Sequence, residues 1–128
     1  MFKTNEKNFQ YFEKCVKKWQ GFFGLTDYRI SVRHEKLKME NALASVDFDI
    51  TDRWARIILN RNWVENPSLH RLERTAMHEM CHLLIAELES LTTQRFIQED
   101  TIRRTYEAIV ARLENFLVRF IKTKNGHH

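Results

Sequence analysis

Apolar side chains recur along this chain with two different spacings, and the changes of spacing divide the chain into elements. Between residues 5 and 23 an apolar side chain returns every three or four positions, which predicts a helix with one buried face. Gly24 follows this stretch and provides a suitable C-terminal stop. The apolar positions of this first helix are Phe9, Phe12, Val16, Trp19 and Phe23.

Three stretches with extended spacing come next. Residues 28–34 and 43–50 alternate apolar and polar side chains, and residues 54–60 form a further apolar stretch, so each is expected to be a strand. The turn sequence Thr-Asp-Arg separates the last two, which predicts that they pair as an antiparallel hairpin. The pattern therefore predicts a small antiparallel or mixed three-stranded sheet.

Helical spacing returns in the second half of the chain. From Leu69 to about Leu88 there is no Gly or Pro, and Asn66 or Ser68 is suited to cap the start of a helix. Residues 91–93 indicate a break after this middle helix. The side chains expected on its buried face are Leu69, Leu72, Ala76, Met80, Leu83 and Leu84.

A long C-terminal helix is expected from Arg95 or Glu99 to about Ile121. Its apolar positions alternate by four and three residues, so they form a seam that should pack on the rest of the protein. They are Ile102, Tyr106, Ile109, Leu113, Phe116 and Phe120. Together the elements predict an α+β fold with an N-terminal helix, a small sheet, a middle helix and a long C-terminal helix.

The composition bounds the class of protein. The 128 residues, 43% hydrophobic and 30% charged, suffice for a single domain over residues 1–128. No run of about 18 apolar residues is present, and the polar N-terminal stretch does not resemble a secretory signal. The 2 cysteines provide no disulfide framework. We therefore expect a cytoplasmic protein of a bacterium or a phage-infected cell, with no membrane partner.

The charge of the chain is mildly basic, with a formal net charge of +4. Lys and Arg are spread along the sequence and form no dense patch. The charge therefore supports a nucleic-acid partner only weakly. The oligomeric state stays open at this level.

The middle helix carries the sequence His-Glu-Met-Cys-His at residues 78–82. Residues four apart lie one above the other on a helix face, so His78 and His82 can direct two imidazoles toward one point, with Glu79 beside it. Neutral imidazoles suit Zn²⁺, and a carboxylate next to a zinc-activated water can accept its proton. The stretch matches the H-E-x-x-H pattern of zinc peptidases. It predicts His78 and His82 as metal ligands and Glu79 as the general base.

The motif lacks one ligand, because a catalytic zinc commonly has three protein ligands and a water. Glu87 and Glu89 are expected to lie too near on the same helix to bend back to its ligand face. Glu107 and Glu114 flank the apolar seam of the C-terminal helix, from where a carboxylate can reach a neighbouring helix. Cys81 is expected to be buried and not a ligand. The other candidates are Glu99, Asp100, His34 and His70.

Residues 75–84 followed by residues 106–110 resemble the small zincin-type metallopeptidases found in phages and prophages. They are similar to SprT-like and minimal gluzincin domains. The stretches 28–32 and 56–60 fit the same plan, so the resemblance covers about residues 10–120, although only the H-E-x-x-H segment is highly specific. The fold that the resemblance implies is a minimal zincin.

The resemblance implies a glutamate as the third zinc ligand, which we place at Glu107, with Glu99 as the alternative. SprT-like proteins carry a third histidine soon after the motif, whereas this chain has none between His82 and His127. The chain therefore leans to the glutamate type. Tyr106 is directed about 100° away from Glu107 around the helix and is expected in the core.

The function that the resemblance implies is a zinc-dependent metalloendopeptidase acting on a protein or peptide substrate. Zn²⁺ held by His78, His82 and Glu107 would activate a water, and Glu79 would take its proton and pass it to the leaving amine. In such enzymes an edge strand pairs with the extended substrate. The strand at residues 54–60, just before the middle helix, is expected to be that strand.

Two other functions stay open. One is a non-catalytic adaptor that keeps the zincin scaffold, since a chain of 128 residues has little material for a substrate cleft. The presence of Glu79 favours an enzyme, because an inactive scaffold has no need of a general base. The other is a DNA-associated SprT-like protease, which the diffuse positive charge supports weakly.

Overall fold

The computed structural model describes residues 1–39, 41–94 and 96–125, with side chains described up to residue 119. Over these residues the fold is α+β, as predicted. The elements are β1 (Phe2–Lys3), α1 (Glu6–Phe22), β2 (Arg29–Glu35), β3 (Ala44–Asp49), β4 (Trp54–Asn60), β5 (Asn62–Trp63), α2 (Leu69–Leu84), α3 (Ala86–Leu91) and α4 (Glu99–Asn125).

The main sheet has three strands in the order β2-β4-β3, so β4 lies in the centre. β2 pairs with β4 in parallel, from Arg29 opposite Trp54 onward, whereas β3 and β4 form the predicted antiparallel hairpin. The sheet is therefore mixed. The expectation that residues 54–60 form an edge strand is wrong, because Ala55, Ile57 and Leu59 are buried in a strand that is paired on both sides.

A second, two-stranded ladder joins the N-terminus to the end of β4, and the sequence pattern did not indicate it. Phe2 lies opposite Trp63 in the antiparallel pair of β1 and β5. The hydroxyl of Thr4 donates to the carbonyl of Asn60 at 2.9 Å. Asn5 then begins α1 with a capping box, in which its side chain and that of Asn8 each accept from the other's backbone N–H.

The core forms where α1 packs on α2 and where α2 packs on β3. The α1 stripe contributes Phe12 and Val16 to it, as the sequence predicts. The largest fully buried side chains also include Trp63, Leu25, Ile57, Leu59, Leu72, Met80 and Leu83. This packing holds one face of α2 in place and leaves the opposite face for the candidate site.

Helix α2 begins where it was predicted and ends earlier. Ser68 caps its start by accepting from the backbone N–H of Arg71 at 3.1 Å. Leu69 is exposed, which corrects its assignment to the buried face. The helix stops at Leu84, Ile85 leaves the helical conformation (φ −103°, ψ 15°), and the separate helix α3 follows. The expected continuous helix to about Leu88 is thus wrong.

Helix α4 is long, as predicted, but it is rotated relative to its expected seam. Ile109 is buried, whereas Tyr106 is 55% and Leu113 is 40% exposed, so the prediction of buried positions is wrong for these two residues. Two arginines on the same helix face the end of α1. Arg112 Nη1 donates to the carbonyl of Gly24 at 2.6 Å, and Arg119 Nη1 donates to the carbonyl of Gly21 at 3.1 Å.

The position of Gly24 in this contact depends on its backbone, since its φ is +67°, a conformation that favours glycine. The side chain of Phe120, the last member of the expected seam, lies outside the described side chains. Within the described part of the chain, no helix has the length and apolar character needed to cross a membrane.

Candidate functional site

The two histidines of the motif meet on one face of α2. Their ring centroids are 4.9 Å apart and the ring planes are inclined by 79°. His78 is exposed and His82 is half-buried. The spacing of four residues thus brings the two imidazoles together, as the sequence predicts, and leaves them open to a ligand.

Glu79 lies between the histidine face and the core, and its side chain is only 7% exposed. No hydrogen bond joins its carboxyl group to any residue in the described part of the chain. Burial raises the pKa of Glu79, while the nearby charges of His78 and His82 oppose that rise. A carboxyl group with a raised pKa is suited to accept and return a proton near neutral pH.

A cavity of about 410 Å³ lies between α2 and the segment that enters β3. Glu79 and His78 line it from the α2 side, together with Arg71 and Arg74. Residues 42–44 form the opposite wall. The proton-accepting group and one imidazole therefore share a space that is large enough for part of a substrate.

The break at Ile85 gives His82 a partner. In a continuous helix Glu89 would lie two turns beyond His82, about 10 Å along the axis. Because α3 turns away from the α2 axis, Glu89 Oε1 instead lies 2.9 Å from Nδ1 of His82. The expectation that Glu89 is too near in sequence to reach the ligand face is therefore wrong.

The contact with Glu89 involves Nδ1 of His82 and leaves Nε2 as the ring nitrogen that could bind a metal. With Nδ1–H donating to the carboxylate, Nε2 keeps a free lone pair, which is the arrangement in which carboxylates orient metal-binding histidines. Glu87 has a different role, since its Oε1 accepts from Nη1 of Arg53 at 2.6 Å. No signal in the sequence pointed to Glu89, because the break at Ile85 contains neither Gly nor Pro.

The predicted third ligand is not gathered with the two histidines. Glu107 is exposed on α4 and lines a different surface depression, with Asp100 and Arg103 among its neighbours. The alternative, Glu99, is exposed as well and pairs with Arg103 at 3.4 Å. Among the residues that the structure describes, no three His, Cys, Asp or Glu side chains form a group that could hold a metal ion. The assignment of Glu107 to the metal therefore stays a prediction.

The remaining candidates have other surroundings. His34 contacts the Thr4 hydroxyl through Nε2 at 2.7 Å, and His70 is exposed in the first turn of α2. Cys81 is exposed and lines the cavity, so the expectation that it is buried is wrong. It follows His78 by three positions, and that spacing places both on neighbouring parts of one helix face.

The chain matches no protein-family model, no curated protein and no solved structure. The resemblance to zincin-type peptidases thus depends on the motif and its surroundings alone. What the residues bring together is a pair of imidazoles, a buried carboxyl group, a carboxylate behind one imidazole and a cavity beside them.

Proposed function

We propose that this protein is a zinc-dependent metallopeptidase of the minimal zincin type, with His78 and His82 as metal ligands and Glu79 as the general base. One observation carries the proposal: the carboxyl group of Glu79, a residue that is 7% exposed, lines a cavity beside two imidazoles whose ring centroids are 4.9 Å apart. Burial raises the pKa of this carboxyl group, and carboxyl groups with perturbed pKa values in clefts are candidates for proton transfer.

The two imidazoles would supply part of a zinc site. Imidazole nitrogen is a preferred ligand of this ion, and the carboxylate of Glu89 fixes the ring of His82 with Nε2 available. His78 and His82 would hold the ion, and Glu107 is the further ligand implied by the resemblance. When bound, zinc supplies a Lewis acid that lowers the pKa of water and polarises a carbonyl group.

The chain's own residues supply the proton transfers. The oxygen of a water attacks the peptide carbonyl carbon, and the Glu79 carboxylate accepts the proton that this water loses. As the C–N bond breaks, the Glu79 carboxyl group returns that proton to the leaving nitrogen, so the products are a carboxylic acid and an amine. The raised pKa of Glu79 suits the group for holding the proton between the two steps.

The substrate would lie along β3. Asn60 N–H donates to the Leu43 carbonyl at 3.0 Å, so the antiparallel alternation directs the backbone groups of Leu43 and Ser45 toward β4. The N–H and C=O of Ala44 and Val46 then point to the open edge. An extended peptide can add to this edge beside the cavity. The edge strand that the resemblance implies is therefore β3, in place of residues 54–60.

The first test is the metal content of the purified protein, with His127 and His128 replaced by Ala so that the terminal histidines bind no metal. We expect about one zinc per chain by mass spectrometry, with loss of zinc in His78→Ala and in His82→Ala. Loss in Glu107→Ala and retention in Glu99→Ala would identify the third ligand. A wild-type protein without zinc after refolding with the metal would overturn the proposal.

The second test is peptide hydrolysis by the zinc-loaded protein and by Glu79→Gln. We expect cleavage by the wild type and a loss of at least about 100-fold in Glu79→Gln, with unchanged zinc content, because general-base catalysis contributes this much. Zinc binding without any hydrolysis would favour the non-catalytic adaptor. DNA binding that falls steeply with added salt would favour the DNA-associated protease.

A further inference from the structure

Two arginines line the cavity on the α2 side. Arg71 is paired, since its Nε donates to the carboxylate of Glu65. Arg74 lines the same cavity and is exposed, and it forms no ion pair or hydrogen bond with any described residue. Its guanidinium group is therefore a cation without an ion-pair partner among the described residues, and the Glu79 carboxyl group lines the same cavity.

The position of Arg74 relates it to the reacting centre. It precedes His78 by four residues, so the two side chains are neighbours on the surface of α2, about 6 Å apart along the helix axis. An extended peptide on the edge of β3 advances about 3.3 Å per residue. The backbone positions of Arg74 and His78 are thus offset by about the length of two extended peptide residues.

The opposite wall of the cavity provides no competing charge. Ala42, Leu43 and Ala44 carry apolar side chains. An arginine offers a planar fork of donors that binds a carboxylate through two parallel hydrogen bonds. The ligand chemistry that fits this end of the cavity is therefore a carboxylate on an extended chain.

We propose that the site selects peptides with a glutamate or aspartate about two residues from the scissile bond, and that Arg74 binds that carboxylate. The inference rests on the proposed peptidase function and adds the substrate class. It makes Arg74 a specificity-determining residue with no part in the proton transfers.

The test is the cleavage of a peptide library, prepared from a bacterial proteome, by the zinc-loaded wild type, Arg74→Glu and Arg29→Glu. Arg29 is an exposed arginine on β2 that does not line the cavity, so its variant matches the change in net charge. In the wild type and the control we expect Asp and Glu to be enriched at one position near the cut. In Arg74→Glu this enrichment should disappear and Lys or Arg should take its place. Cleavage without an acidic preference, or with the same preference in Arg74→Glu, would overturn the inference and leave the peptidase function standing.

A binding measurement separates the inference from the failure of the proposed function. Zinc-loaded Glu79→Gln is titrated into fluorescein-labelled octapeptides of alanine and serine that carry two Glu, two Gln or two Lys residues. We expect the Glu peptide to bind about tenfold more tightly than the Gln peptide, as for a hydrogen-bonded charge pair. The added change Arg74→Glu should remove this difference. Equal affinities, or no binding, would contradict the role of Arg74 whether or not any peptide is cleaved.

Discussion

Nδ1 of His82 lies 2.9 Å from Oε1 of Glu89, although the two residues belong to different helices. The contact exists because α2 ends at Leu84 and α3 begins at Ala86. It orients the His82 ring through Nδ1, so Nε2 would be the nitrogen available to a metal. The end of α2 thus determines which side chain lies behind the His82 ring.

Replacement of Glu89 should weaken metal binding. We expect Glu89→Ala to lose about tenfold or more in zinc affinity, the usual effect of removing a carboxylate that orients a histidine ligand. Glu89→Gln keeps an acceptor oxygen and should lose less. The affinity can be measured by competition with a fluorescent zinc chelator. Glu87→Ala is the control, since Glu87 pairs with Arg53, and a zinc affinity of Glu89→Ala equal to that of this control would contradict the role.

The pH dependence of stability should report on His34. Burial and the charge of Arg61 lower the pKa of His34, and Glu6 opposes them. The unfolded chain therefore binds a proton at a higher pH than the folded chain. Stability is fully present above the ordinary histidine pKa of about 6.5 and falls as the pH drops through that value toward the lower folded pKa.

The measurement is urea unfolding of the wild type and His34→Gln between pH 7.5 and 5, a range of about one unit or more on either side of the histidine pKa. We expect the loss of stability on acidification to be smaller in His34→Gln. His70→Gln is the matched control, because His70 is exposed. Equal slopes in His34→Gln and the wild type would show that His34 does not supply the effect.

Arg53 should stabilise the protein through its side chain and strain it through its backbone. Its guanidinium group binds Glu87 at 2.6 Å and the Tyr28 hydroxyl at 3.0 Å, while its φ is +54°. We expect Arg53→Ala to lose about 1 kcal/mol, as for a partly exposed charged pair. Arg53→Gly loses the same contacts but tolerates the positive φ, so it should be about 1 kcal/mol more stable than Arg53→Ala. Equal unfolding free energies of the two variants in urea would show that the positive φ of Arg53 costs no stability.

The rotation of α4 can be tested by truncation on its two faces. Ile109, which is 9% exposed, should lose about 2 kcal/mol of stability when replaced by Ala. Leu113→Ala should lose less than about 1 kcal/mol, because Leu113 is 40% exposed. Both losses of unfolding free energy can be measured by chemical denaturation. A loss for Leu113→Ala as large as that for Ile109→Ala would show that Leu113 is buried, as the sequence predicts.

The elements near the site were predictable because their signals are local. Helical spacing places His78, Glu79 and His82 together independently of tertiary contacts. Ser68 caps the helix through a hydrogen bond within its first turn. The extent of β4 was predicted for the same reason, since an apolar run between turn residues indicates a strand.

The errors arose where a long-range contact decides the outcome. Which strand lies in the centre depends on the parallel pairing of β2 with β4, and alternation within one strand carries no information on its neighbours. The burial of Tyr106 or Ile109 depends on where Arg112 and Arg119 find backbone carbonyls at the end of α1. The contact of Glu89 with His82 requires a helix break, and no Gly or Pro in the sequence indicates that break.

The central position of β4 has a consequence for how the chain folds. β3 and β4 are joined by a short turn in which the Asp49 carboxylate accepts from the N–H groups of Thr51 and Asp52, so this hairpin can close within about 10 μs. The pairing of β2 with β4 must first close a loop that contains all of β3, and its contacts are separated by about 25 residues. We therefore expect the hairpin to form first and the docking of β2 to limit the folding rate.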